Sequence, residues 1–111
     1  MITFRTVKVC FLLIFVCVNI FYISPSFSLD LREDLFKNAL DLSSGGKFNI
    51  ALQEWNRYLD SYPDDAAGFS NRGNVRLIIG DLEGSIDDQN KAISLDPDEI
   101  DPYINLSLIH I

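Results

Sequence analysis

The stretch SLDPDEIDPYIN, residues 94–105, is the densest run of potential metal ligands in the chain. Read as a calcium loop starting at Asp96, it puts Ile100 where an oxygen ligand belongs and Asp101 where the bend needs glycine. Ser107 then falls where a bidentate Glu should sit, so the loop fails as a cation site. Asp87 and Asp88 are adjacent, hence about 100° apart on a helix of ~3.6 residues per turn, and do not converge as an acid/base pair. They are expected on a solvated face. The single histidine, His110, has no partner residues near it in sequence, and SSGG at 43–46 lacks the strand-to-helix context of a phosphate loop. Asn105-Leu106-Ser107 is a glycosylation acceptor only in a eukaryotic secretory route. The residues thus give no catalytic, cofactor or metal site, and the chain is not read as an enzyme.

The amino terminus explains where the two cysteines belong. Arg5 and Lys8 precede an apolar run from Val9 to Ile23, and SPSFS places small residues at Ser26 and Ser28. A basic start, an apolar stretch and a small-x-small site describe a signal peptide over residues 1–28, cut after Ser28. The alternative is a membrane anchor through residues 9–23. Fifteen helical residues reach about 22 Å at ~1.5 Å each, against a hydrocarbon core of roughly 30 Å. Removing 1–28 takes Cys10 and Cys17 with it, leaving no disulfide and no thiol. Seven basic residues then face sixteen acidic ones, net −9. That balance excludes nucleic acid as a partner and disfavours anionic lipid. The expected location is outside the cytoplasm: periplasm, medium or an organelle lumen, with membrane anchoring as the alternative.

The acidic stretch has an echo. Pro63 and Pro97 are 34 residues apart, each followed by two acids, and the same shift aligns Gly46 with Gly80, Leu52 with Ile86 and Leu59 with Ile93. Within a period the apolar spacing is helical: Leu31, Leu35, Ala39 and Leu42 form one stripe, and Phe48, Leu52, Trp55, Leu59 and Tyr62 a second. Glycine at 45–46 and 80 ends the first helix of each pair, and proline stops the second. Asp30 with Glu33 is a capping-box candidate for the start of the first helix. The unit is helix, tight turn, helix, stop. Residues 94–105 are punctuation between units.

This pattern resembles the tetratricopeptide repeat (TPR) family. Residues 32–65 supply Leu35, Ala39, Leu42, Ala51, Trp55 and Pro63 to the family's motif, and residues 66–99 supply Phe69, Gly73, Ser85, Ala92 and Pro97. Tyr58 stands where the motif is small, and Arg76 and Gln89 where it is large and apolar, which should weaken the second repeat's core. The resemblance implies an all-α, right-handed solenoid of antiparallel helix pairs. A third repeat starts at residues 100–111, with Asp101-Pro102 opening it, and does not finish. One reverse translation of LSLIHI, CTG TCT CTT ATA CAC ATC, spells a sequencing-library transposon end, so residues 106–111 are expected to be an artefact.

The resemblance also implies a concave groove lined by the first helix of each pair. Here its candidates are Phe36, Leu40, Ser70, Asn71, Asn74, Leu77 and Ile78. Family members that grip a terminal carboxylate use a lysine where this chain has Ser70; Asn74 alone matches, so that clamp is not expected. The leading expectation is a non-catalytic scaffold binding a protein or peptide segment, basic or neutral in character. The rivals are a self-assembling structural module and the docking part of a longer enzyme.

Overall fold

The computed structural model describes residues 25–109. The apolar run at residues 9–23 and His110 lie outside that range. Five helices follow one another: α1 Pro25–Ser44, α2 Phe48–Ser61, α3 Ala66–Ile78, α4 Leu82–Leu95 and α5 Asp101–Ile109. No strand occurs among the described residues, as the all-α expectation requires, and none of their helices is long and apolar enough to cross a membrane. The chain divides into two compact units, residues 1–31 and 32–111. Of the first, the described part is the opening of α1, where Phe27, Leu29 and Leu31 are exposed.

Helix α1 begins at Pro25, not at Asp30. Proline suits a first turn because its φ is already fixed and its missing N–H needs no partner there. Asp30 and Glu33 therefore lie inside the helix, and the expected capping box has no helix end to cap. The expected cut after Ser28 likewise falls within α1.

The two hairpin turns are built alike. Gly46 and Gly80 hold φ of 76° and 90°, the left-handed region that costs other residues steric strain. After each glycine the next amide reaches back: Lys47 N–H to the Leu42 carbonyl at 3.0 Å, and Asp81 N–H to the Arg76 carbonyl at 2.9 Å. Those bonds, with Gly46 to Ser43 and Gly80 to Leu77 at 3.2 Å, satisfy carbonyls that a helix end otherwise leaves open. Hydrogen-bonded partners fix the pairing direction. Arg72 meets Asp88 while Arg76 meets Gly84, so a step of four forward on α3 is four backward on α4. The hairpin is antiparallel.

Side-chain carboxylates open α3 and α4: Asp65 accepts from Gly68 N–H at 3.2 Å and Asp81 from Gly84 N–H at 3.0 Å. The residues around Asp96 form a turn, with Glu99 N–H donating to the Asp96 carbonyl at 3.3 Å and Asp98 N–H to its carboxylate at 3.2 Å. This is the punctuation that the spacing predicts. Helix α5 includes Asp101 itself, one residue earlier than expected, within the usual latitude of helix ends.

The core of the first hairpin is aromatic. Ala39, Ala51, Trp55, Tyr58 and Leu59 are buried, with Leu35, Leu42 and Phe48 packed against them. Phe36 and Trp55 meet edge to face at 5.0 Å between centroids, Phe36 and Tyr58 at 5.4 Å, the geometry the ring quadrupoles favour. The core of the second hairpin holds Val75 and Ala92 but also Ser85, Asp88 and Gln89. Gly73 makes this possible: a Cβ there would sit 2.5 Å from the Gln89 side-chain nitrogen.

Candidate functional site

The groove candidates separate into two groups. On α3, Asn71, Asn74 and Leu77–Ile78 recur at helical three- and four-residue steps and so share one stripe. Asn71 and Asn74 are half-buried, Leu77 is half-buried and Ile78 is 58% exposed. Asn71 spends one amide hydrogen on the Ala67 carbonyl at 2.9 Å. Leu40, on α1, is 38% exposed. These five leave side-chain surface open to a ligand.

Phe36 and Ser70 do not. Phe36 is locked between Trp55 and Tyr58, so it fills the first hairpin's core instead of facing a groove. Ser70 is 4% exposed; its hydroxyl accepts from Asn105 Nδ2 at 3.2 Å and its carbonyl accepts from Gln89 Nε2 at 3.1 Å. It joins α3 to α4 and α5. An aromatic at residue 36 finds more buried area among other rings than in an open cleft, and a small hydroxyl at 70 is what lets α5 approach.

Two polar clusters were not legible as sites. In the second hairpin, Asp88 is not on a solvated face: it is 3% exposed. Arg72 grips it with two bonds, Nε to Oδ2 at 2.9 Å and Nη2 to Oδ1 at 2.8 Å, and Arg76 Nη1 adds a third at 3.0 Å. Arg72 also donates to Asn56 Oδ1 at 3.0 Å, tying in α2, and lies over the Phe69 ring. Asp87 remains exposed, as expected. The signal was present in the departures themselves. Arg76 standing in an apolar position, one turn after Arg72, demands a buried anion on the facing helix.

In the first hairpin, Tyr58 replaces a small residue and uses its hydroxyl. It donates to the Asp65 carboxylate, which also accepts from Arg32 Nη2 at 2.8 Å and from Gly68 N–H. Arg32 Nε donates to the Tyr58 oxygen at 3.1 Å and the guanidinium lies over the Tyr62 ring. Burial alone would push the Asp65 carboxyl up. The bonds from Tyr58, Arg32 and the Gly68 amide outweigh it and hold the group below its usual range. Burial, then donation to Asp65, raises the Tyr58 phenol. The same bonds to Asp65 and Tyr58 raise Arg32 further above its already high value. A shallow pocket of about 280 Å³ opens beside this cluster, lined by Arg32, Ser61, Tyr62, Pro63, Asp64 and Asp65. Arg32 and Asp65 already bond each other there, so the pocket brings no unused pair of groups together. No set of three or more His, Cys, Asp or Glu side chains that could hold a metal occurs among the described residues.

No protein-family profile matches the chain. Over 63 residues it is 30% identical to tetratricopeptide repeat protein 36 of zebrafish, Danio rerio, covering 57% of this chain and 34% of that protein. The mouse protein of the same name, Mus musculus, is 25% identical over 71 residues, 64% of this chain and 38% of its own. The fold agrees with the sequence. The TPR2B domain of yeast Sti1, solved as a complex with pHsp70, superposes with a TM-score of 0.68 at 24% identity, over 71% of this chain and 63% of that one. The helical hairpins are tetratricopeptide repeats. The TPR2AB domain of the same yeast protein, solved with pHSP90, gives a TM-score of 0.69 at 24% identity, over 80% of this chain and 33% of that one. The chain spans about a third of the length of the curated relatives it matches. In the TPR frame the Asn71–Asn74–Leu77–Ile78 stripe belongs to the first helix of its repeat, and both polar clusters lie where helices pack on one another.

Proposed function

We propose that this chain is a non-catalytic TPR scaffold that holds a protein or peptide segment along the face carrying Leu40, Asn74, Leu77 and Ile78. The observation that carries this reading is the division of labour on α3. Ser70, Gly73 and Val75 face inward and complete the packing. Asn74 and Ile78 add nothing to the hydrophobic core and stay open. An amide beside aliphatic side chains offers backbone hydrogen bonds and apolar contact together, which is what extended segments and amphipathic helices use. Yeast Sti1 domains of this fold were solved as complexes with pHsp70 and pHSP90, which supports a polypeptide ligand as the class. The burial of Ser70 under Asn105 speaks against a carboxylate grip at that point.

The proposed setting is outside the cytoplasm, on the strength of residues 1–28. N-terminal sequencing of the chain made in its own cells checks this; finding Met1 retained in soluble cytosol removes it. For binding, a pull-down with the wild-type chain should recover a partner that Asn74→Ala/Leu77→Ala loses while keeping its helical circular dichroism. Equal recovery by the folded double variant rejects the groove. Self-association is the second reading, favoured by exposed Ile100, Tyr103 and Ile104 around the start of α5. Light scattering separates the two, since a monomer at micromolar concentration rules self-association out.

A further inference from the structure

The two long edges of the solenoid are chemically different. Antiparallel hairpins put the end of α1, the start of α2, the end of α3 and the start of α4 on one edge. The end of α2, the start of α3, the end of α4 and the start of α5 lie on the other, where Arg32 reaches Asp65 from α1. The hairpin-turn edge presents exposed Ile78, Ile79 and Leu82. The opposite edge presents Glu33, Asp64, Asp96, Asp98, Glu99 and Asp101, none of them in an ion pair. Arg32, the basic residue there, is already committed to Asp65 and Tyr58. Lys47 sits at the turn edge, and Lys37 and Lys91 lie within helices. Apart from Asp96, which accepts from the Asp98 amide, these acids show no capping bond that would account for their charge.

The groove runs between these edges, with Leu40, Leu77 and Ile78 toward the turn edge. We infer that its occupant is a protein segment with aliphatic side chains at one end and a cluster of lysines or arginines at the other. This rests on the groove reading above and assigns the ligand's chemistry and direction. Apolar anchors settle beside Leu77 and Ile78; the cations lie over the acidic edge, where unpaired carboxylates attract them and steer the encounter. Helix α3 has 13 residues, so the two ends are about 20 Å apart at ~1.5 Å per residue. An extended ligand needs roughly six residues between anchor and charge at ~3.3 Å each.

The test uses fluorescence anisotropy with the full chain and three labelled peptides of equal length. One carries leucines and lysines separated by about 20 Å, one replaces the lysines by glutamates, and one intersperses lysines among the leucines. The inference expects the separated lysine peptide to bind at least tenfold tighter than either control at low salt, with the margin shrinking as salt rises. The variant Asp98→Asn/Glu99→Gln/Asp101→Asn should erase the margin over the glutamate peptide while retaining weak binding. Leu77→Ser/Ile78→Ser should abolish binding of all three. Equal affinity for lysine and glutamate peptides overturns the charge assignment and leaves the groove standing. Equal affinity for separated and interspersed lysines overturns the direction. Lysine-peptide binding untouched by the Leu77/Ile78 variant shows adhesion to the acidic edge alone and overturns the inference. No binding by any peptide overturns the groove with it.

Discussion

The two hairpins share a turn, a length and a stop, yet their interiors are made of different materials. The first is closed by three aromatic rings at right angles, with the Trp55 indole N–H donating to Ser43 Oγ at 3.0 Å. The second is closed by a carboxylate between two guanidiniums and by Gln89, which is fully buried. The same backbone is therefore compatible with an apolar and an ionic core, provided the small residues at 39 and 73 let the helices approach. What differs is how each core fails. An apolar core loses contacts in proportion to the atoms removed. An ionic core tolerates loss of the whole set better than loss of one member, because a leftover buried charge is worse than none.

The largest effect should come from the aromatic side. Trp55→Ala removes a fully buried indole and should cost about 3–5 kcal/mol in urea unfolding, enough to unfold a domain of ordinary stability. Next is Asp88→Ala, which strands Arg72 and Arg76; because both arginines keep some exposure, about 3 kcal/mol is expected, at the low end for broken buried pairs. The comparison is sharpest in the triple replacement Asp88→Leu/Arg72→Met/Arg76→Leu. It should recover most of that loss, and a triple variant less stable than Asp88→Ala would contradict the account of the second core. Gly80→Ala should cost about 1 kcal/mol through its positive φ.

The smallest effects are read from pH. Asp65 is held below its ordinary value of 3.8, so its contribution is complete above that pH and disappears as pH falls through the lowered value. Tyr58 is raised above 10.0, so its contribution is complete below pH 10 and disappears as pH climbs through the raised value. Asp65→Asn should flatten the acid limb of a stability–pH curve and Tyr58→Phe the alkaline limb, each measured by thermal melts. Unaltered limbs in these variants would place the titrating groups elsewhere.

The fold was readable because its cues are local. Gly46, Gly80, Pro63 and Pro97 act within a few residues of themselves, and the 34-residue echo repeats the instruction. Candidate site residues were less readable, because helical register places a side chain on a face without saying what covers that face. Leu40, Leu77 and Ile78 were correctly placed outside the core; Ser70 was covered by Asn105, thirty-five residues away. The polar cores were missed for a different reason. Arg76, Gln89 and Tyr58 each look like a defect when scored alone, and only their partners Asp88, Ser70 and Asp65 turn them into closed contacts. Asp88 in particular was assigned to solvent because its neighbour Asp87 belongs there.

Asp65 sits at the junction of the two hairpins and answers to both: it anchors the first turn of α3 while Arg32 and Tyr58 hold it from the preceding pair. A rod of stacked units ordinarily peels one unit at a time, each neighbour contact letting go separately. Here the latch is a single carboxylate shared across the seam, so releasing the leading pair also frees the start of the following helix. Pulled from its ends, the array should therefore yield as a pair of repeats in one step, with no plateau at which only the first has come loose.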